Sequence, residues 1–266
     1  MDTSLSDSLK KLWVTSDSQE ICKNYLESDT NNSQQLIKKE SRVRIFLSPA
    51  DNSGNRSCQK LYRVPEHLQW RTWHLTSRAE REFKILHTAY KAGAPVIPPL
   101  KWAEMRRRGI LHYNSLTTLF IEQRDMSNVL AELEADSPEY LSLLRGTGEL
   151  LAHLHRAGIL WMTALPRNIL AAEKADEQHL AFDMPYGQVF TKSIHSRTPA
   201  LYDIYMLIKY GLNQANFSTA QANKVLLAYC ADSTTDPALL IKRLNKRTKA
   251  RQFLYRLLYR SIAILR

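Results

Sequence analysis

The chain switches patterning once, and that switch limits its fold more than any other feature. From Gln34 to Val64 the segments QQLIKKES, RVRIFLS and CQKLYRV set β-branched and aromatic residues among charges, in part alternating, which predicts three strands. PADNSGNRS, between the second and third, is dense in turn formers. TSRAEREFKILHTAYKAG predicts one amphipathic helix. Thr76 and Ser77 are candidate N-caps, Leu75, Phe83, Leu86 and Tyr90 recur near helical spacing, and Gly93 ends it. APVIPPLKWAEMRRRGILHYNSLTTLFIEQ predicts two more strands around a turn at Arg108-Gly109. After Asp125 the character is helical. NVLAELEAD reads as a short helix, and SPEYLSLLRGTGELLAHLHRAG as a longer one with Ser137 as N-cap, Pro138 in the first turn and Gly158 as the stop. NILAAE and HLAFDM read as two short strands around a charged turn, and from Thr198 the chain is mostly helical. Strands gathered in one half and helices in the other predict an α+β fold. The expected organisation is a polar extension over 1–33, a small antiparallel-sheet lobe over 34–122 and a larger helical lobe over 123–266.

Composition removes several alternatives. The chain has 266 residues, enough for one large domain or two lobes, and only 8 glycines, too few for a fold built on glycine-rich loops. Cys22, Cys58 and Cys230 are far apart and odd in number, so they form neither a disulfide framework nor a metal cluster, and a reducing compartment is expected. MDTSLSDSLKKLW lacks the apolar core of a signal peptide, and no apolar run reaches the roughly 18 residues that span a bilayer. The expected location is the cytoplasm, with a membrane surface as an alternative. The formal net charge of +11 points to an anionic partner.

Four residues bear on phosphate and metal chemistry, and their order matters. Lys60 lies in the third strand, Glu82 on the following helix, Asn168 at the end of the loop in GILWMTALPRNILAAE, and Asp183 after the second short strand in LAFDMPYG. Phosphoryl transfer needs a cation on the nucleotide phosphates, an acid that holds that cation, and oxygen ligands for Mg²⁺. A strand Lys, a helix Glu, a loop Asn and a strand-end Asp supply those parts in kinase order. Glu80 competes with Glu82. Glu82 is favoured because it directly precedes the apolar Phe83–Leu86 segment. Asp183 ends an apolar strand, where a buried acid needs a metal or charge partner. His153 and His155 read as capping or packing the end of their helix.

With these positions in hand, the chain resembles the eukaryotic-like kinase fold, and within it the bacterial lipopolysaccharide kinases that phosphorylate inner-core sugars, the Kdo and heptose kinase group. The resemblance covers roughly residues 34–215. SRAEREFKILHTAYKAGAPVIPPL is similar to that group's helix carrying the lysine partner and its G-x-P-V-P segment. LLAHLHRAGI resembles the helix before the catalytic loop. LYDIYMLIKYGL resembles the helix whose aspartate, here Asp203, hydrogen-bonds the catalytic-loop backbone. The resemblance implies a protein-kinase-like bilobal fold and ATP and Mg²⁺ as cofactors. Lys60 and Glu82 would serve the nucleotide, Asn168 and Asp183 nucleotide and metal, and Glu122 would mark the segment whose backbone receives adenine.

The pattern departs from that family at three points. Five residues before Asn168, where the catalytic aspartate would stand, the chain has Thr163, and no acid occurs between Gly158 and Leu170. A threonine hydroxyl cannot take a proton from a substrate hydroxyl at neutral pH, and general-base help is typically worth ~10²–10⁴-fold. The first hairpin has no glycine-rich loop, and IKKESRVRI places Lys38, Lys39 and Glu40 at the turn. Asp183 is followed by Met184-Pro185 rather than Phe-Gly. Two readings follow: a divergent phosphotransferase acting on a glycolipid or small molecule, or a kinase-fold protein that binds nucleotide or serves as a membrane-surface scaffold with transfer weak or lost. The double loss of base and glycine loop favours impaired transfer.

The last segment, DPALLIKRLNKRTKARQFLYRLLYRSIAILR, has no acid after Asp236 and interleaves cations with leucines and isoleucines. It reads either as a basic amphipathic helix on an anionic membrane surface or lipid-linked glycan, or as a terminal helix docked on the helical lobe. Nucleic acid ranks below both, because the aromatics lie within an apolar stripe rather than a stacking platform.

Overall fold

Antiparallel pairing of five strands organises the first part of the chain. The computed structural model describes residues 35–73, 75–172, 177–214, 219–231, 233 and 235–244, and these fall into two compact units. The extension over 1–33 and most of the basic C-terminal segment lie outside the described residues. Unit 1 holds residues up to 84 together with 98–121; unit 2 holds 85–97 and the residues from 122.

In unit 1, β1 (Gln35–Lys39), β2 (Val43–Leu47), β3 (Ser57–Arg63), β4 (Pro99–Arg107) and β5 (Ile110–Leu119) form one antiparallel sheet in the order β1-β2-β3-β5-β4. The β4–β5 turn is closed by Arg108 and Gly109 at φ 50 and 81, the paired positive angles that match the twist of a tight hairpin. Lys38 and Lys39 do not sit at the first turn as expected. They close β1, and Glu40–Arg42 make the turn, with Glu40 N donating to the Val43 carbonyl at 2.8 Å. A short helix, α1 (Glu66–Gln69), and one 3₁₀ turn over Trp70–Thr72 follow β3.

The next helix, α2 (Arg78–Lys91), starts where Ser77 Oγ accepts the amide of Glu80 at 3.1 Å, and the chain leaves it through Gly93 at φ 72. Its buried stripe is Ala79, Glu82, Phe83, Leu86 and Ala89, whereas Leu75 and Tyr90, expected on that face, are 41% and 52% exposed. Small alanines fill the close-packed positions, and the larger side chains at the ends turn to solvent.

Unit 2 is built on helices. Asp125 caps α3 (Met126–Glu132) by accepting from Asn128 N, and Ser137 caps α4 (Pro138–Arg156) by accepting from Tyr140 N. The α4 helix stops at Gly158, φ 77. Helices α5 (Ala200–Gln214) and α6 (Thr219–Cys230) follow. Two small ladders frame the segment between α4 and α5. In one, β6 (Ile159–Leu160) pairs β9 (Gln188–Val189); in the other, β7 (Ile169–Leu170) pairs β8 (Leu180–Ala181). The residues over 237–244 are helical, with Leu240 fully buried and Arg243 Nη1 donating to the Ser196 carbonyl at 3.2 Å, so the start of the basic segment packs on this unit. Among the described residues no helix is long and apolar enough to cross a membrane.

Helices α4 and α6 approach closely at Gly148. A Cβ there would lie 2.3 Å from the Val225 carbonyl oxygen and 2.9 Å from Ala228 Cβ. Because the obstacle is backbone, neither helix can yield cheaply. Gly148→Ala is expected to destabilise the protein by about 1–3 kcal/mol through overpacking, read as a lower urea midpoint of the full-length chain at unchanged m-value.

Candidate functional site

One group of candidate residues is an ion pair buried in unit 1. Lys60 and Tyr62 are two residues apart on β3 and so project from the same face of the strand. Both reach the carboxylate of Glu82. Lys60 Nζ lies 3.6 Å from Oε1, and the Tyr62 hydroxyl donates to Oε2 at 3.3 Å. The Lys60 side chain is 13% exposed and that of Glu82 is 0% exposed. The start of α2 is pinned to the sheet so that Glu82 arrives at this height. Ala79 N donates to Oδ1 of buried Asn114 on β5 at 3.0 Å, and the Arg78 guanidinium stands 4.5 Å over the Tyr62 ring. Glu80 points elsewhere and pairs with Lys84 at 2.8 Å. Glu82, not Glu80, is therefore the partner of Lys60.

A separate group lies in unit 2, around the fully buried carboxylate of Asp203. Its Oδ2 accepts the amide of Trp161 at 2.6 Å and its Oδ1 that of Met162 at 2.7 Å. His155, also fully buried, places Nε2 3.1 Å from Oδ2 and Nδ1 2.9 Å from the Tyr229 hydroxyl. Ser196 N donates to that hydroxyl at 3.0 Å. The Asp203 carboxylate only accepts, which assigns the proton to Nε2 facing it and leaves Nδ1 to accept from the Tyr229 hydroxyl. Burial pushes the Tyr229 phenol well above its ordinary value, which keeps it a donor. Met162 takes φ 69, a left-handed conformation that ordinarily costs a non-glycine residue of order 1–3 kcal/mol. Two charge-assisted bonds from one carboxylate hold the backbone there.

Trp161, Met162, Ala164 and Leu165 are all buried, and the Trp161 indole donates to the Phe182 carbonyl at 3.2 Å. One hydrogen-bonded chain then joins three of the predicted residues. Asn168 Nδ2 donates to the Thr163 carbonyl at 2.9 Å, and the Thr163 hydroxyl donates to the Asp183 carbonyl. Phe182 N closes the group by donating to the Asn168 carbonyl at 3.1 Å. Asp183 is half-buried rather than buried, because it lies two residues past the end of β8, and it too is left-handed, at φ 58. Left-handed non-glycine residues gather where a site over-determines its backbone.

Glu122 is exposed, three residues past β5. His155, Trp161 and Tyr229 complete the loop support and were not singled out from the sequence as site residues. An i, i+2 pair of histidines near the end of α4 carries no signal that one of them meets an aspartate 48 residues later. His153 instead lines a cleft of about 540 Å³ with Arg124, Arg145, Glu149 and His179, and none of Thr163, Asn168 and Asp183 lines it. The loop residues and this cleft are separate.

Asn168 gives its amide NH₂ to the loop, which leaves its amide oxygen as a ligand, and Asp183 supplies a carboxylate. Among the described residues there is no group of three or more His, Cys, Asp or Glu side chains able to hold a metal. An Asn oxygen and one carboxylate, with the remaining positions left to water and phosphate, fit Mg²⁺ bound together with a nucleotide.

No family model matches the chain, and no curated protein matches it in sequence. Its fold matches that of WaaP, solved in complex with acyl carrier protein, with a TM-score of 0.56 and 14% identity over 80% of this chain and 86% of that one. The chain therefore has the kinase-like α+β fold expected from its sequence. In all, 1772 solved chains match it in fold, so the fold alone selects no acceptor.

Asp203→Ala is expected to cost about 3 kcal/mol or more, because it strands two buried amides and the Nε2–H of His155. Asp203→Asn, which keeps one acceptor oxygen, is expected to cost less. Thermal or urea unfolding ranks the two, and equal losses would contradict the two-oxygen arrangement.

Proposed function

We propose that this chain is a lipopolysaccharide-kinase-like protein that binds ATP and Mg²⁺ and works in the cytoplasm at a membrane surface, on or near lipid-linked core sugars, with phosphoryl transfer weak or lost. The observation that carries this reading is the hydrogen-bonded chain from Asn168 through Thr163 to Asp183. It brings two residues suited to a metal to one residue that cannot serve as a base. The Lys60–Glu82 pair supports it by supplying a cation for the nucleotide phosphates, held by a buried acid. The backbone near Glu122 would receive adenine, as the sequence resemblance implies. When bound, Mg²⁺ would neutralise charge on the phosphates. The acceptor class rests on the sequence resemblance, with which the fold shared with WaaP agrees.

Thr163 is the reason for expecting slow transfer. Its hydroxyl proton is committed to the Asp183 carbonyl. The conjugate acid of that neutral hydroxyl is far too strong for it to draw a proton from an acceptor sugar. Positioning and charge stabilisation remain, and these carry most of phosphoryl transfer, so a residual rate is consistent with the site.

ATP with Mg²⁺ is expected to raise the unfolding temperature, by the equivalent of about 2.7 kcal/mol at a ligand concentration one hundred times Kd. Lys60→Ala and Asp183→Ala should each abolish that shift in a thermal-melt assay. If ATP and Mg²⁺ leave the melt of the wild-type chain unchanged, nucleotide binding is wrong.

With labelled ATP and a core glycolipid, turnover is expected to be slow or undetectable, and Thr163→Ala should change it little. Robust turnover that disappears in Thr163→Ala would overturn the impaired-transfer reading and favour an active divergent kinase.

A further inference from the structure

The tip of the β4–β5 hairpin and the segment after α1 form an exposed aromatic and cationic platform that the nucleotide-side residues do not use. Trp70 is 65% exposed, Trp73 61% and Leu75 41%, all within six residues of each other on unit 1. Exposed tryptophan is costly to leave in water, and two so close together mark a surface that meets something else. Arg71, Arg107 and Arg108 are exposed around them, and the Arg71 guanidinium lies 5.0 Å over the Trp70 ring. The neighbouring acids are engaged. Glu104 is held by Arg106 at 2.6 Å, and Glu66 lies 3.5 Å from Arg63.

The platform is built rather than frayed. Arg106 acts as a clasp between its two segments. Its Nη1 donates to the carbonyls of Thr72 at 3.1 Å and Gly109 at 3.0 Å, and its Nη2 donates to the carbonyl of Leu75. Leu111 N donates to Thr72 Oγ1 at 2.9 Å. The turn lies against the Trp73 ring so closely that a Cβ on Gly109 would stand 2.6 Å from it. The Trp70 indole N–H is spent on the His67 carbonyl at 3.0 Å. That ring therefore offers solvent mainly apolar surface. A rigid presentation lowers the ordering cost of binding.

We propose that this platform docks on an anionic phospholipid bilayer, with Trp70, Trp73 and Leu75 in the headgroup region and Arg71, Arg107 and Arg108 on lipid phosphates. Tryptophan is the residue that sits at the bilayer interface, and arginines beside it add attraction to anionic lipid. The charges ring apolar side chains at a hairpin tip, a form suited to a broad soft surface rather than to a single acidic side chain. The proposal does not depend on phosphoryl transfer, and it places membrane contact in unit 1 rather than in the basic C-terminal segment.

Flotation of the full-length chain with phosphatidylcholine vesicles, with and without phosphatidylglycerol, tests it. Binding is expected on the anionic vesicles only. R71Q/R107Q/R108Q should weaken it on the order of 100-fold, the effect of three basic residues near an anionic surface. W70A/W73A should weaken it at least tenfold, a loss of about 1.4 kcal/mol or more. Brominated anionic lipid should quench the tryptophan emission of the wild-type chain, and the conservative W70F/W73F should lose most of that quenching. A melt curve of each variant with ATP and Mg²⁺ separates this result from the nucleotide reading. Three outcomes would overturn the proposal: wild-type-like vesicle binding by both platform variants, equal binding to neutral vesicles, or absence of vesicle binding. Capture by polyglutamate in that last case would reassign the platform to an acidic polypeptide.

Discussion

One buried carboxylate sets the geometry of the loop on which the site in unit 2 depends. Asp203 carries a charge in a place water does not reach, and an isolated ion there would cost several kcal/mol. Two backbone amides and an imidazole N–H offset that cost. The same bonds hold Met162 in a left-handed turn, and that turn lets Thr163 face the end of β8 while Trp161 buries its ring beneath the loop. His155 and Tyr229 extend the support to α6, so a helix remote in sequence helps to fix a loop residue. Remove the carboxylate and the strained turn has no reason to persist.

Thr163 fits this loop in a way an aspartate could not copy. Its hydroxyl donates to the Asp183 carbonyl, whereas an ionised carboxylate only accepts and would repel that oxygen. The threonine therefore ties the loop to the strand end. Asn168 adds the second tie through its amide.

Most of the scaffold was legible because its signals are local. Strand alternation, the Arg108-Gly109 turn, the Ser77 and Ser137 caps and the stops at Gly93 and Gly158 each act within a few residues. The order of Lys60, Glu82, Asn168 and Asp183 was legible for the same reason. What sequence could not supply was pairing across the chain. It could favour Glu82 over Glu80, but the reason, that Tyr62 and Lys60 share a strand face opposite it, is three-dimensional. It missed β6 and β9 because a two-residue ladder has no periodicity to read. It took Leu75 and Tyr90 for core because spacing alone cannot tell an apolar stripe from an apolar rim, and it read His155 only as capping or packing its helix end because the partner, Asp203, comes much later in the chain.

The four nucleotide-side residues are unequal witnesses to function. Lys60 and Glu82 would be retained for stability alone, since deleting either partner of a buried pair typically costs about 3–5 kcal/mol. Asn168 likewise serves the fold, because its amide closes the loop on Thr163. Asp183 differs. The fold uses its carbonyl, which any residue could supply, and it occupies a left-handed position that glycine would fill with less strain. On the proposed reading, its half-buried carboxylate is the group that would meet the metal. A test of nucleotide and metal binding therefore turns on the Asp183 carboxylate more than on the ion pair in unit 1, whose loss would lower stability whether or not a nucleotide binds.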